Sequence, residues 1–341
     1  MTSSTLNSDP AEPRWPYVWA VAILLVVTVV GGWELLVRDA GLGPDYVDNK
    51  VLWADTRHKL NKAGDDAIVL LGASRMQRAV DVNTMNDRFG RPVFQLSVEG
   101  SSYLPLLENL AVDPRITGTV VVSIAPAFTF NRLLSQLDEG RQSLYLEYYG
   151  NQSYARRFEQ QVTLFLQGRV AFRALRARLS TIIPQLIETG TMPSRDHKTI
   201  FRDRVVHMNY DLLPVQPTDD GIVALYLENV EPYSEAEFER VVEYIATIAR
   251  MLKQKGVDVY FVRLPSAGAV RNLENEFFPR ERFWGVLEKN VDATFVHYAD
   301  YPELEGFVSK DGSHIDSAHI VEFTEQLNDV LARSRLQPGS D

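Results

Sequence analysis

Cysteine is absent from the 341 residues of the chain. This absence excludes disulfide bonds, thiolate-bound metals and a cysteine nucleophile, but it is compatible with an oxidising periplasm as well as with a reducing cytosol. Histidine is scarce, and none of the six histidines forms a zinc-ligand spacing with another, since His314 and His319 lie five residues apart. We therefore expect no metal ion and no other cofactor.

Positive charge is also in deficit, since the formal net charge is −10. A nucleic-acid partner requires a concentrated lysine and arginine face, and this charge balance argues against one. Low-complexity sequence is confined to residues 1–14 and 336–341, which we expect to be disordered. The remaining chain is long and apolar enough to bury a sizeable core.

One long hydrophobic run is present near the N-terminus. The 19 residues from Trp15 to Trp33 carry no charge, and as a helix they extend about 28 Å, close to the hydrocarbon thickness of a bilayer. We predict a single transmembrane anchor over residues 15–37. A cleaved signal peptide and a buried soluble helix are the alternatives. The length of the run and the single arginine of the leader, Arg14, disfavour a signal peptide.

The orientation of this anchor follows less directly from the sequence. Arg14 precedes the run, whereas Arg38, Lys50 and Arg57 follow it, so the charge balance does not favour a cytoplasmic N-terminus. The charges alone therefore leave the side of the membrane open, and the residues of the soluble part have to decide it.

Apolar runs alternate with helical patterns after the anchor. Short runs with little internal alternation indicate strands that are buried on both faces. They are Ala67–Leu71, Pro92–Leu96, Thr119–Ile124, Val257–Leu264 and Thr294–Tyr298. Helices are predicted from Ser234 to Lys255, with a Ser234/Glu237 capping box, and over about residues 318–336. This alternation predicts an α/β fold with a doubly wound parallel sheet.

The alternation lapses between residues 132 and 232, where we predict a helical insertion. The stretch from Tyr154 to Ile187 indicates one or two helices with six arginines, which are Arg156, Arg157, Arg169, Arg173, Arg176 and Arg178. Two interpretations remain open. The insertion is either a solvated lid with arginines on its outer face, or a cationic face that contacts anionic lipid headgroups or an acidic polymer.

A serine follows the first predicted strand. The run Ala67–Leu71 leads directly into Gly72, Ala73 and Ser74, and open α/β sheets bind ligands at the carboxyl ends of their strands. A helix that begins after Ser74 would direct its free N–H groups at developing negative charge. Taken alone, however, Ser74 is more simply explained as a helix N-cap.

Other polar residues follow the remaining strands. Gly100 comes after the second strand, on the same predicted edge as Ser74. Asp311 and His314 lie three apart between the last strand and the last helix, so the carboxylate can bind one ring nitrogen and leave the other to accept a proton. Arg75 and Arg263 lie on this edge too. They are candidates for binding an anionic or polyhydroxyl substrate, or for pairing with neighbouring carboxylates.

In this order, the segments resemble the SGNH hydrolase superfamily, also called the GDSL family. Gly72-Ala73-Ser74 resembles its first block, Gly100 its second and Asp311-Gly312-Ser313-His314 its fourth. The resemblance covers about residues 65–130 and 235–335. It implies a flavodoxin-like sheet in a domain over residues 38–335 that contains the insertion. It also implies Ser74 as nucleophile, His314 as base, Asp311 as its orienting carboxylate, and the N–H groups of Ser74 and Gly100 as oxyanion donors.

The third block departs from the family pattern. The family has Gly-x-Asn, whereas this chain has Val122-Ser123-Ile124-Ala125-Pro126. The family's asparagine is an oxyanion donor, and losing one such donor typically costs about 10²- to 10³-fold in rate. Ser123 and Asn131 are the candidates to replace it.

Two functions from different classes follow from these residues and their order. The first is a serine esterase or O-acyltransferase acting on an acyl ester of a cell-envelope polysaccharide or carrier. The anchor and layout resemble membrane-tethered SGNH-like proteins of alginate O-acetylation and D-alanine transfer. The second is a non-catalytic accessory protein that binds a glycan or a membrane-bound O-acyltransferase. A third possibility, favoured by the arginines of the insertion alone, is a lipid-binding module.

The side of the membrane follows from the first two functions. Both act on the cell envelope, and both therefore favour a soluble part outside the cytoplasm. We predict a single-pass membrane protein whose soluble domain is periplasmic or extracellular.

Overall fold

The computed structural model describes residues 14–64, 66–193, 197–213, 216, 218–307 and 311–334, and over 133–140 the backbone alone. Of the tails predicted to be disordered, residues 1–13 and 336–341 lie outside the described residues. The chain divides into two compact units. The described parts of Met1–Pro44 and Arg169–Arg195 form the first, and those of Asp45–Gly168 and Asp196–Asp341 form the second.

Helices occur along the whole described chain. In chain order they are α1 (Trp15–Asp39), α2 (Lys50–Leu60), α3 (Ser74–Ala79), α4 (Val82–Phe89), α5 (Leu104–Val112), α6 (Pro126–Thr129), α7 (Arg132–Gly150), α8 (Tyr154–Gln167), α9 (Leu179–Thr189), α10 (Asp220–Asn229), α11 (Glu235–Gln254), α12 (Gly268–Phe277), α13 (Trp284–Asn290), α14 (Pro302–Glu305) and α15 (Ile320–Arg333). Short 3₁₀ helices occur at Ala171–Arg173, Leu175–Ala177, Tyr210–Leu212 and Tyr298–Asp300.

The second unit contains a parallel sheet of five strands. The strands are β1 (Ile68–Leu71), β2 (Val93–Gln95), β3 (Thr119–Ser123), β6 (Asp258–Arg263) and β7 (Thr294–His297), in the order β2-β1-β3-β6-β7. All neighbouring pairs are parallel. This is the 2-1-3-4-5 order of flavodoxin-like sheets, so the predicted fold class is confirmed. Each predicted strand is found to within one residue at either end.

Alternate side chains of the strands fill two separate cores, one on each face of the sheet. Val69, Val120 and Phe261 face a core that α5, α11 and α13 cover. Ile68, Val121 and Val262 face the other, which α4 and α15 cover. The two cores make the strands continuously apolar, because each successive side chain meets a helix layer. The predicted capping box of α11 is present, with Ser234 and Glu237 bonded reciprocally.

The predicted insertion contains helices and a small sheet. Besides α7, α8, α9 and α10, it holds an antiparallel pair, β4 (Lys198–Ile200) with β5 (Val206–Met208), which the apolar pattern did not indicate. The described part of residues 169–195 belongs to the first unit together with α1. The domain predicted over residues 38–335 stays a prediction.

Helix α1 is the candidate membrane span. Within the described part of the chain, it is the one helix that is long and apolar enough to cross a membrane, and its side chains are almost entirely exposed. Its bounds extend two residues beyond the predicted anchor at the C-terminal end. These properties are consistent with the predicted single-pass anchor and do not assign a side of the membrane.

Candidate active site

Ser74 lies at the carboxyl end of β1. The strand that follows β1 in sequence, β2, lies on one side of it, and the next, β3, lies on the other. Open α/β sheets bind ligands at such a reversal of strand order. Gly72 links β1 to this serine with a φ of +145°. A Cβ atom at Gly72 would lie 2.9 Å from the Cβ of Ser123 and 3.0 Å from its carbonyl oxygen. Only glycine fits this turn, because the backbone of β1 passes against the end of β3 here. Ser74 begins α3 immediately after the turn.

The structure brings Ser74 and His314 together across 240 residues of sequence. The Nε2 atom of His314 lies 2.8 Å from the Oγ atom of Ser74. Ser74 at the start of α3 and His314 in the turn before α15 both lie at the carboxyl edge of the sheet, and His314 is buried. A neutral imidazole in this position can accept the serine proton.

Asp311 binds the other ring nitrogen of His314. Its Oδ2 atom lies 2.7 Å from His314 Nδ1, and its Oδ1 atom accepts the backbone N–H groups of Ser313 and His314. The hydroxyl of Tyr210 donates to Oδ2 over 2.8 Å. These four hydrogen bonds fix the carboxylate. With Oδ2 on Nδ1, the imidazole proton is held there and Nε2 faces the serine as an acceptor.

The surroundings of His314 favour its neutral form. Burial lowers the pKa of His314, and the nearby Arg78 guanidinium lowers it further, while the hydrogen bond and charge of Asp311 act in the opposite direction. The net pKa is below the ordinary value of 6.5. His314 is therefore unprotonated at neutral pH, as a general base must be.

Two backbone N–H groups lie on the same edge as the Ser74 hydroxyl. The loop after β2 is joined to the turn after β1 by a hydrogen bond from the Val98 N–H to the Gly72 carbonyl, 3.0 Å long. Gly100 ends this loop with a φ of +66°. In the part of the chain that the structure describes, neither the Gly100 N–H nor the Ser74 N–H donates to a backbone carbonyl outside helices and strands. They remain the candidate oxyanion donors.

Asn131, one of the two candidates to replace the family asparagine, hydrogen-bonds to the backbone near residue 230. Asn131 is fully buried, and its side-chain amide bonds to two backbone groups of the segment near residue 230. Its Nδ2 donates to the Asn229 carbonyl over 2.8 Å, and its Oδ1 accepts the Glu231 N–H over 2.9 Å. The nitrogen and the oxygen of the Asn131 amide thus both bond to backbone groups at the end of the insertion. Asn131 also forms an isolated β-bridge with Pro232 there.

Ser123 lies closer to the site. Its Cβ is the nearest atom to the position that a Gly72 side chain would occupy. The Ser123 hydroxyl is buried and has no hydrogen-bond partner among the described residues. Of the two predicted replacement donors, Ser123 is therefore the one placed beside the Ser74 turn.

Arg75 and Arg263 converge on one buried carboxylate, that of Glu274. The Nη2 atom of Arg75 lies 2.7 Å from Glu274 Oε1, and Arg263 pairs with Oε2. Tyr226 and Ser266 also donate to this carboxylate. Of the two roles predicted for these arginines, the structure shows pairing with a carboxylate, since both side chains are buried against Glu274.

A charged cluster of Glu99, Arg78 and Lys198 lies near His314. Glu99, which precedes Gly100, pairs with Arg78 and accepts from Lys198 Nζ over 2.8 Å. Burial raises the pKa of Glu99, but Arg78 and Lys198 outweigh it and hold the pKa below the ordinary value. The site edge therefore carries a fixed cation, Arg78, within electrostatic reach of the imidazole.

Three of the side chains that organise the site were not predicted. They are Tyr210, Arg78 and Glu274. Tyr210 lies in the insertion and Glu274 on α12, so neither neighbours the site segments in sequence. Arg78 had a local signal, since it lies four residues after Ser74 on the same helix and faces the same side.

No metal-binding cluster of three or more His, Asp or Glu side chains occurs among the described residues.

No family model and no curated protein matches the chain. Solved structures do match. One is a predicted lipolytic protein of the G-D-S-L family from Desulfitobacterium hafniense DCB-2, at 11% identity, 78% coverage of this chain, 99% of that chain and a TM-score of 0.35.

Two further solved structures are similar to the chain. A predicted acylhydrolase from Bacteroides fragilis NCTC 9343 is 12% identical, with 83% of this chain and 96% of that chain covered and a TM-score of 0.36. A predicted platelet activating factor from Streptococcus pneumonia is 11% identical, with 92% and 99% covered and a TM-score of 0.35. The strand order is that of flavodoxin-like sheets, and Ser74, Asp311 and His314 are hydrogen-bonded to one another at the carboxyl edge of the sheet.

Proposed function

We propose that the chain is a membrane-anchored serine esterase or O-acyltransferase, with Ser74 as nucleophile, His314 as general base and acid, and Asp311 as the orienting carboxylate. The observation that carries the proposal is the continuous hydrogen bonding from Ser74 Oγ through His314 to Asp311. A serine used only as a helix cap needs no buried, neutral histidine against its hydroxyl.

The chemistry follows from this arrangement. Ser74 Oγ attacks an ester carbonyl while its proton moves to His314 Nε2. The tetrahedral oxyanion accepts hydrogen bonds from the N–H groups of Ser74 and Gly100. Its collapse breaks the bond to the leaving alkoxide, which takes the proton from His314, and Ser74 keeps the acyl group. Water, or a sugar hydroxyl, then gives its proton to His314 Nε2 and attacks the acyl-serine. The bond between the acyl carbon and Ser74 Oγ breaks, and Oγ takes the proton back from His314, which regenerates the serine hydroxyl and releases the acid or the new ester.

The oxyanion donors are the least complete part of this site. Asn131 is committed to the backbone of residues 229 and 231, so the two N–H groups carry the negative charge with the Ser123 hydroxyl as the available third donor. If the Ser123 hydroxyl does not act, the remaining two donors make the site slower by about 10²-fold or more than one with three. We therefore expect a modest turnover on simple esters.

The substrate class, the location and the partner are proposed from the anchor. A helix long enough to span a bilayer keeps the protein at the membrane surface, where the proposed substrate is an acyl ester of an envelope polysaccharide or of a membrane carrier. On the same argument, the soluble part is proposed to be periplasmic or extracellular, and a membrane-bound O-acyltransferase is the proposed partner.

A non-catalytic accessory role is the second candidate. The observation that favours it is the engagement of Asn131, which leaves the site without the family's third donor. In such a protein the same edge binds a glycan or an acyltransferase without forming an acyl-enzyme. The two candidates differ in the reactivity of Ser74.

The test is labelling of the full-length protein in detergent by a fluorophosphonate probe, which reacts only with an activated serine. Wild type should label, whereas Ser74→Ala and His314→Ala should not. Ser180→Ala, which changes an exposed serine on α9, is the matched control and should label like wild type.

Mass spectrometry of the protein incubated with an activated acetyl ester identifies the intermediate, and added sugar alcohol tests transfer. Faster loss of acetyl-Ser74 with sugar than with water alone indicates an acyltransferase, and an unchanged rate indicates an esterase. A folded wild type that neither labels nor forms acetyl-Ser74 contradicts the enzyme proposal and leaves the accessory role.

A further inference from the structure

The first unit joins α1 to a short amphipathic helix. The segment that starts at residue 169 packs on the C-terminal end of α1, where Val37 and Leu42 form a small core with Ala171, Ala174, Ala177 and Ile182. Ile182 lies on α9, so this helix is held beside the end of the candidate membrane span.

Polar contacts fix the same junction. The Glu34 carboxylate accepts the backbone N–H groups of Ala171 and Phe172, each over 2.9 Å. Arg38 donates to Glu34 over 2.6 Å and to the Arg169 carbonyl over 2.9 Å. Glu34 directly follows Trp33, the last residue of the uncharged run. Since that run matches the hydrocarbon thickness, residues 169–172 meet α1 at the level where the hydrocarbon ends.

The outer side of α9 is apolar and uncovered. Ile187 is 82% exposed and Ile183 is 50% exposed, and they share a face with two further exposed leucines, because residues three and four apart on a helix are neighbours. This apolar face of α9 consists of Leu179, Ile183, Leu186 and Ile187. The opposite side carries Thr181 and Glu188. The face normally turned to a protein core is here turned outward.

Charge supports a lipid surface as the occupant of this face. The ten residues 169–178 that lead into α9 contain four arginines and no acidic residue. Arginines at headgroup level are attracted to anionic lipids, and their stems can extend to the phosphates while apolar neighbours enter the acyl region. Helix α9 has 11 residues, about half of what spanning requires, so it fits a position in the interface plane.

We infer that α9 lies in the interface of the membrane that α1 spans, with its apolar face among the lipid acyl chains. The first unit is then a membrane collar, made of the end of α1 and residues 169–193, in which α9 enlarges the apolar area in contact with lipid. The inference is independent of the reaction at Ser74.

The absence of cysteine provides a direct test, because a single introduced cysteine is the only labelling site. Ile187→Cys, Ile183→Cys and the matched control Glu188→Cys are made in the full-length protein and spin-labelled. The proteins are reconstituted in vesicles of phosphatidylethanolamine and phosphatidylglycerol. Electron paramagnetic resonance then compares relaxation by oxygen, which concentrates in the bilayer, with relaxation by a water-soluble nickel chelate.

The expected result is that labels at 187 and 183 respond several-fold more to oxygen than to the chelate, and that the label at 188 shows the reverse preference. Circular dichroism and the melting temperature of each variant confirm that it is folded. A chelate response at 187 and 183 as strong as at 188 would place the face in water. Protection of both labels from oxygen and chelate together would show a protein, such as a second copy, on this face. Either result overturns the inference.

Discussion

Arg75 and Glu274 form an ion pair inside the protein, with 2.7 Å between Arg75 Nη2 and Glu274 Oε1. Arg75 follows Ser74 in the chain, and its Nε atom donates to Ser313 Oγ over 3.0 Å. Ser313 belongs to the turn that presents His314. One guanidinium therefore ties the serine segment and the histidine segment to a common buried carboxylate.

Glu274→Gln should destabilise the protein strongly. The substitution leaves Arg75 and Arg263 buried with no opposing charge, and breaking a buried pair in this way costs about 3–5 kcal/mol in the free energy of unfolding. Chemical denaturation of the detergent-solubilised protein measures this loss. Glu276→Gln, at an exposed position on the same helix, is the control and should change stability by less than about 0.5 kcal/mol.

The loss should depend on pH in a defined direction. Burial alone raises the pKa of Glu274, but Arg263 and Arg75 lower it from 4.5 to about 2. A carboxyl with a lowered folded-state pKa stabilises the protein above its unfolded pKa, and that contribution is lost as the pH falls. The difference between wild type and Glu274→Gln should be constant above about pH 4.5 and shrink toward pH 2. A difference independent of pH would contradict an ionised Glu274.

Tyr210→Phe should slow ester hydrolysis. Its hydroxyl donates to Asp311 Oδ2, and burial and the Asp311 charge raise the Tyr210 pKa so that the proton stays in place. A hydrogen bond to a charged group is worth about 1.5 kcal/mol, so kcat/KM should fall about tenfold. Tyr154→Phe removes a hydroxyl from a side chain that is 90% exposed, and it should leave the rate unchanged. Equal rates for Tyr210→Phe and wild type would show that Asp311 does not need the hydrogen bond from Tyr210.

Arg78→Gln should move the pH profile of kcat/KM. The proposed mechanism requires neutral His314, whose pKa lies below 6.5 because of burial and the Arg78 charge. Wild type should therefore remain active below pH 6.5 and lose activity only as His314 protonates. Removing the cation raises the His314 pKa, so the acid limb should shift to higher pH. Arg88 forms an exposed ion pair with Asp329, and the control Arg88→Gln should leave the acid limb of the profile where it is in wild type. An acid limb that does not shift in Arg78→Gln would show that Arg78 does not lower the His314 pKa.

Asn131→Ala should affect stability rather than catalysis. The amide makes hydrogen bonds to the backbone at Asn229 and Glu231, and losing two such bonds costs about 2 kcal/mol in the free energy of unfolding. The rate per folded molecule, normalised to fluorophosphonate-reactive protein, should stay within about twofold of wild type. A fall of about 10²-fold in that rate would instead restore Asn131 as an oxyanion donor.

The sheet and its edge could be predicted from local patterns. Each strand is an uninterrupted apolar run because both faces are covered, and the capping box at Ser234 and Glu237 is a contact between near neighbours in sequence. The approach of Ser74 to His314 could be anticipated too, because parallel strands place all their carboxyl ends on one edge. These features depend on periodicity and strand direction, which the sequence records directly.

The contacts behind the site could not be predicted in the same way. Tyr210 reaches Asp311 from a 3₁₀ helix in the insertion, and no period or motif distinguishes it from the other tyrosines. The pairing of Arg75 and Arg263 with Glu274 required knowing where α12 packs. Asn131 was a candidate by residue type alone, and the backbone groups that bind it are about 100 residues away.

The separation of Ser74 and His314 by 240 positions in sequence has a consequence for synthesis. In the proposed membrane-anchored esterase, the ribosome delivers α1 and the serine long before it makes the histidine turn, so the nascent chain carries a hydroxyl that no base activates. Premature termination anywhere between the two would then yield a fragment that cannot acylate itself. On this proposal, reactivity toward esters begins only when translation has passed residue 314 and the distant turn has docked against the first strand.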